Sequence, residues 1–337
     1  MNILLDLLAE RKTLMADGAT GTNLFNMGLE AGEAPELWNV DAPEKIEKLY
    51  RFAVDAGSDL FLTNSFGGNA SRMKLHDAQD RVKELNMAAA GIGRKVADSA
   101  TKKVLVAGSV GPTGEIMGAV GTLSHEDAVD MFYEQALALM EGGCDVLWLE
   151  TISAHEEYLA AADAFNKAGA PWVGTMSFDT AGRTMMGLKP ADLVDLINSI
   201  PNKPLAFGAN CGVGASDLLR TISGFADARE AIGLDIPIIS KGNAGIPKYV
   251  EGAIVYDGTP ELMGNYAVMA RDLGASIIGG CCGTMPEHLV AMRNALDSTP
   301  AGPRPTFGEI ETALGGFSST SDGTGEAAPV RKNRRRG

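Results

Sequence analysis

Cysteine is scarce in this chain: four residues in 337, two of them adjacent. So few in so long a chain do not make a disulfide framework, and in a reducing compartment they are better metal or catalytic candidates. Basic residues are also few, 29 against 43 acidic, for a formal net charge of −14. A body that acidic argues against binding nucleic acid through the main domain, since phosphates are recruited by positive surfaces. Long apolar runs are missing as well. None approaches the roughly 20 residues that cross a bilayer, so no membrane partner is expected. The opening Met1-Asn2-Ile3-Leu4-Leu5-Asp6 has no basic lead-in, and Asp6 and Glu10 interrupt it, so it reads as a first helix and not a secretion signal. A cytoplasmic location is the expectation.

What the chain does have is a repeating alternation. Short runs rich in Val, Ile and Leu occur at 13–19, 58–66, 103–110, 144–151, 172–178, 204–211, 237–242 and 275–282. They are apolar almost without interruption, as strands buried on both faces are. Between them lie longer segments with apolar residues three and four apart, such as Ile46, Leu49, Ala53 and Ala56. Several open on helix-start signals: Ala42-Pro43-Glu44, Ser124 ahead of Glu126-Asp127, and Met285-Pro286-Glu287. Eight such units over residues 1–300 predict an α/β protein with a single (β/α)8 barrel domain, a doubly wound open sheet being the structural alternative. From about Gly302 the pattern stops. Residues 301–337 read as a flexible tail that ends in the basic run Arg331-Lys332-Asn333-Arg334-Arg335-Arg336.

In such a barrel the chemistry sits where strands end and the following loops begin. Cys211 closes the sixth run, and Cys281 and Cys282 close the eighth. Strands six and eight are next-but-one neighbours around a barrel, and the glycines beside the cysteines let the backbone turn both side chains toward one point. Three thiolates make a soft ligand set that favours Zn2+ and leaves a fourth position open, as catalytic zinc requires. If a substrate thiol fills that position, the metal deprotonates it near neutral pH. The competing reading of any cysteine is a small core hydrophobe, and it is the one adopted for Cys144. The four histidines, His76, His125, His155 and His288, do not fall at strand ends. That weighs against a hydrolase or lyase built on histidine-bound zinc. A non-catalytic zinc that only locks the barrel is the third option.

Asp17-Gly18-Ala19-Thr20-Gly21-Thr22, Thr63-Asn64-Ser65-Phe66, Glu150-Thr151, Asn210-Cys211 and Gly279-Gly280-Cys281-Cys282-Gly283-Thr284 together resemble the homocysteine S-methyltransferase family, from about residue 13 to 296. The resemblance implies a zinc held by Cys211, Cys281 and Cys282, with the homocysteine sulfur as fourth ligand and methionine as product. It also implies that Asp17 and Glu150 take the substrate ammonium and that Asn210 belongs to the substrate site. The turn of Gly18, Ala19 and Thr20 would offer N–H groups to the carboxylate.

The methyl donor is harder to read. Trp38 resembles the tryptophan that packs on a quaternary ammonium in the betaine-using members, for which cation–π attraction is a physical reason. Phe66 is followed by Gly67-Gly68, where those members carry a second aromatic. The Gly108–Gly114 turn is a further donor-side candidate, and Asn243-Ala244-Gly245, Asp179 and Tyr256-Asp257 are further mouth candidates. Betaine, a sulfonium or S-methyl compound, and a separate methylcobalamin protein all remain open as donors. The oligomeric state is open too, a homo-oligomer included.

Overall fold

The computed structural model describes residues 2–117, 121–250 and 253–321. All eight apolar runs are strands: β1 (Leu14–Met15), β2 (Leu60–Leu62), β3 (Leu105–Val110), β4 (Val146–Ile152), β5 (Trp172–Met176), β6 (Phe207–Cys211), β7 (Ile238–Gly242) and β8 (Ala275–Gly280). Each pairs in parallel with its neighbour from β2 round to β8, and β8 pairs with β1. The near-continuous apolarity has the expected cause. In β2, Leu60 and Leu62 join an inner cluster with Leu14, Leu105, Val146, Trp148 and Ile277, while Phe61 faces the helix layer. Leu4, Leu7 and Leu8 of the first helix, Ile3–Arg11, belong to the inner cluster and plug the end of the barrel opposite the mouth.

The seam between β1 and β2 is closed mainly by two aspartates. Asp59 N–H donates to Met15 O at 2.6 Å, and its carboxylate accepts Met15 N–H at 2.8 Å. Arg11, Lys102 and Arg293 surround that buried carboxylate. One turn higher, Asp17 Oδ2 accepts Leu62 N–H at 2.9 Å. This is the (β/α)8 barrel, and the open-sheet alternative is set aside.

Two features escaped the sequence pattern. An antiparallel hairpin of Lys248–Val250 with Ala253–Val255 stands in the loop after β7. The expected flexible tail is also corrected. Phe307–Leu314 is a helix with a Thr306/Glu309 capping box, and its Ile310 and Leu314 are buried. Beyond it, Phe317 lies under the Arg220 guanidinium at 4.4 Å, and Ser318 Oγ donates to Asp217 at 3.0 Å. Pro303 and Pro305 break the apolar periodicity just ahead of this helix, and two buried positions are too few to restore it. The basic run at 331–336 lies outside the described residues. Ile310→Ala should therefore destabilise the folded chain by about 2–4 kcal/mol, as burial in a packed site predicts. Urea unfolding would check it, and an unchanged midpoint would mean that the helix is only loosely attached. Among the described residues no helix is long and apolar enough to cross a membrane.

Candidate functional site

Register brings the cysteines together. Cys211 on β6 and Gly280 on β8 both sit level with Gly242 of the intervening β7. Cys281 N–H then bonds to Gly242 O at 2.6 Å, and Cys282 O accepts Ala244 N–H at 2.9 Å. The turn at β6 is taken by the ligand candidate itself: Cys211 has φ +62°, followed by Gly212 at φ +74°. A left-handed non-glycine residue costs about 1–2 kcal/mol, and such strain collects at functional sites. Thr151 at the end of β4 shares it, with φ +62°. The three sulfurs lie within 4.8 Å of one another, Cys211 Sγ to Cys282 Sγ being 3.9 Å. A tetrahedral centre with Zn–S bonds of about 2.3 Å separates its sulfurs by roughly 3.8 Å, so the spacing fits. Hydrogen bonds from Cys211 and Cys281 pull the Cys282 thiol down to about 3, with Tyr256 adding a further bond. Cys211, as donor in this cluster, is pushed up.

The cluster opens into a cavity of about 450 Å3, within the roughly 300–1,000 Å3 usual for small-molecule sites. Glu150 lines it. Burial pushes its carboxyl up to about 7, with the Cys281 sulfur and Asp17 adding to that and Lys241 and the Ser109 hydroxyl opposing it. Lys241, from β7, lines the same floor and was not anticipated. Its Nζ donates to Asp17 Oδ1 at 2.6 Å. Burial works against the Lys241 charge, but Asp17, Glu150 and Cys281 outweigh it and hold the ammonium above its ordinary pKa. Burial likewise pushes Asp17 up, against the pull of Lys241. The two tendencies conflict, and the short contact decides for an ion pair, because an ammonium buried here without a carboxylate would be far costlier.

Several expectations change on this geometry. Asp17 does not line the cavity; both its oxygens are engaged, one by Lys241 and one by the β1–β2 seam. Asn210 is fully buried and spends its side chain on Thr151 N–H at 2.8 Å, Thr151 Oγ1 at 2.7 Å and Thr175 Oγ1 at 2.7 Å. It positions the strained residues, and its Nδ2 also donates to Cys281 Sγ at 3.8 Å. Ala19 N–H is taken by Thr284 O at 3.1 Å, whereas Gly18 and Thr20 line the cavity with N–H groups that have no partner among the described residues. Trp38 is not on the cavity wall, and Lys45 Nζ already covers its ring at 3.9 Å.

Phe66 does line the wall. The Gly108–Gly114 turn supports that wall from behind: a Cβ at Gly111 would stand 2.6 Å from the Phe66 ring. Asn243 staples the cysteine-bearing turns, donating to Gly212 O at 3.0 Å. Asp257 pairs with Lys248, and Asp179 accepts a hydrogen bond from the hydroxyl of its neighbour Thr180. Cys144 is a buried core residue whose thiol burial pushes up. Arg72 and His76 complete the wall unannounced. The only sequence signal for Lys241 was a lone lysine inside an apolar run.

A (β/α)8 barrel thus carries at its mouth three converging sulfurs able to hold a metal ion, with a carboxylate and an ammonium lining the same cavity. Comparison with known proteins narrows this. The homocysteine S-methyltransferase profile matches residues 14–296, and the chain belongs to that family. It is 30% identical over 305 residues to the methionine synthase of Mycobacterium tuberculosis, covering 85% of this chain and 25% of that one. With the methionine synthase of Mycobacterium leprae it is 29% identical over 340 residues, covering 92% and 27%. The chain thus spans about a quarter of the length of these curated relatives. The metallated form of the homocysteine methyltransferase MmuM from Escherichia coli superposes with a TM-score of 0.71 at 25% identity, covering 87% of this chain and 99% of that one.

Proposed function

We propose that the chain transfers a methyl group to the sulfur of homocysteine, making methionine, with Zn2+ held by Cys211, Cys281 and Cys282. The observation that carries this reading is the placement of three close sulfurs beside Glu150 and Lys241 in one cavity. When bound, the ion would lower the pKa of an incoming thiol, and three thiolates would keep that sulfur electron-rich enough to attack a methyl group. The chain's own groups match the rest of an amino-acid thiol. Glu150 accepts the ammonium. Lys241, with N–H groups to spare beyond Asp17, takes the carboxylate together with the Gly18 and Thr20 N–H groups. Asp17 acts through Lys241.

The donor in this reading is a small onium or S-methyl compound that occupies the outer half of the cavity. The match to only about a quarter of each methionine synthase favours a second reading, in which a separate cobalamin-bearing protein brings the methyl group to the same mouth. The test is zinc-loaded protein with homocysteine, a panel of small donors and, separately, a methylated carrier, with methionine quantified. No methionine from any of them would sink the reading.

Glu150→Gln should weaken homocysteine binding by about ten- to hundredfold at pH 8, the loss of one charged hydrogen bond. The carboxyl must be ionised to hold an ammonium, and its pKa lies near 7. The gap between wild type and E150Q should therefore close as the pH falls through about 7, while the thiol's own pH dependence is common to both. Calorimetric titrations at several pH values would measure it, and a gap that persists at pH 5.5 would place the ammonium elsewhere.

A further inference from the structure

Three cations share one buried carboxylate at the end of the barrel opposite the mouth. Asp59, just ahead of β2, pairs with Arg11 at the end of the first helix, with Lys102 ahead of β3 and with Arg293 of the helix Pro286–Ser298. Lys102 Nζ donates to Asp59 Oδ1 at 2.9 Å and to Gly57 O at 2.6 Å. Arg293 is the least satisfied of the three. Its Nη1 stands 3.4 Å from Asp59 Oδ2, its Nε is buried without an acceptor, and its Nη2 reaches Asp297, one helical turn on. The side chain is seated over Gly57, where a Cβ would stand 2.9 Å from Arg293 Cγ. Arg11, Lys102 and Arg293 line a cavity of about 480 Å3 together with Thr13, Asp59 and Asp297. Arg293 and Asp297 also line two further cavities that share residues with it.

From this arrangement we infer that the cavity binds a phosphate group, free or carried by a small metabolite. Asp59 is the only buried acid among the three cations, since the other two acids near them, Asp297 and Glu10, are 63% and 69% exposed. Ion pairs to such exposed partners are weak and easily exchanged. An incoming anion can therefore take Arg293 from Asp297 and meet its under-used donors. Two guanidinium forks and an ammonium are the groups that bind phosphate oxygens best. They reach this cavity from three separate segments, which suits a tetrahedral group with several free oxygens better than a planar carboxylate. Asp59 holds the cations together before any ligand arrives, so little ordering remains to be done on binding. The ligand would also tie the first helix, the lead into β3 and the helix Pro286–Ser298 across the β1–β2 seam. Its effect is then on the stability of the barrel and not on chemistry at the mouth.

Calorimetric titration of the full chain with inorganic phosphate, ribose 5-phosphate and, as the control, acetate tests this at constant ionic strength. Wild type should bind one equivalent of a phosphate ligand at least about tenfold tighter than acetate, as an added charged hydrogen bond predicts. Arg293→Met should weaken that binding about tenfold or more, and Arg293→Lys should lie between. Asp297→Asn, which frees Arg293, should tighten it, an outcome that a merely structural ion-pair network would not give. At a hundredfold excess over Kd the same ligand should raise the melting temperature of wild type by about 3–5 °C. Tighter binding of ribose 5-phosphate than of phosphate would identify a phosphorylated metabolite as the ligand; the reverse order would identify the free ion. Both results support the site. Failure of wild type to prefer either phosphate over acetate would overturn it, as would binding unchanged in R293M or not tightened in D297N. Should R293M fail to fold, R293K and D297N decide the matter.

Discussion

Alanine at Cys211, Cys281 or Cys282 is expected to leave the purified protein with far less than one zinc per chain and no measurable methionine formation. Sharing the roughly 10–16 kcal/mol of a four-ligand zinc site evenly gives about 2.5–4 kcal/mol per ligand, a loss of roughly a hundred- to a thousandfold in affinity. The sulfurs are interdependent, since all three lie within 4.8 Å of one another and can serve one ion only together. Any one substitution should therefore abolish methionine formation nearly as completely as all three together. Cys144→Ala provides the contrast. That thiol lies in the helix-facing core and should be dispensable for both metal and activity. Metal analysis of the four variants settles the matter, and stoichiometric zinc in Cys211→Ala would refute the ligand set.

Lys241→Met should be the most destabilising change near the site, for a reason separate from substrate binding. It strands the Asp17 carboxylate in the barrel interior, and breaking one side of a buried pair costs roughly 3–5 kcal/mol. The sign of its pH dependence follows from burial, which already pushes Asp17 up. Without Lys241 the folded-state pKa would stand well above the unfolded value. A carboxyl raised in that way binds more protons folded than unfolded, so stability is lost as the pH rises through the interval between the two values. K241M should accordingly be close to wild type in acid and much weaker at pH 8. Adding Asp17→Asn should recover much of the loss by removing the stranded charge. Urea unfolding at both pH values would show this; a K241M protein as stable as wild type at pH 8 would mean that Asp17 finds another partner.

The barrel was legible in the chain because burial on both strand faces leaves a plain mark: eight apolar runs, all eight strands. The sulfur site was legible because all three cysteines sit at strand ends, so the fold alone brings them close. What stayed hidden depends on pairings that no local pattern encodes. Asp17 reads as a free acidic residue until Lys241, 224 positions away, is seen beside it. Trp38 reads as a donor platform until Lys45 is found over its ring. Asn210, next to a ligand candidate, reads as a substrate contact, yet its work is to hold Thr151 and the backbone turn in place. Arg72 and His76 sit in the short helical turns Ala70–Met73 and Lys74–His76 well beyond the end of β2, and become part of the wall only through the path that connection takes.

The level placement of Cys211 and Gly280 across β7 also has a bearing on how the molecule is made. The two halves of the sulfur cluster are 71 residues apart in sequence, and the later half directly follows the last strand of the barrel. A ribosome delivers the chain from its N-terminus. Until that strand has emerged and docked, a lone thiol on β6 has nothing to share a metal with. If the cluster holds zinc as proposed, ion uptake waits on the docking of that strand, and a growing polypeptide has no finished trap in which to capture the wrong metal.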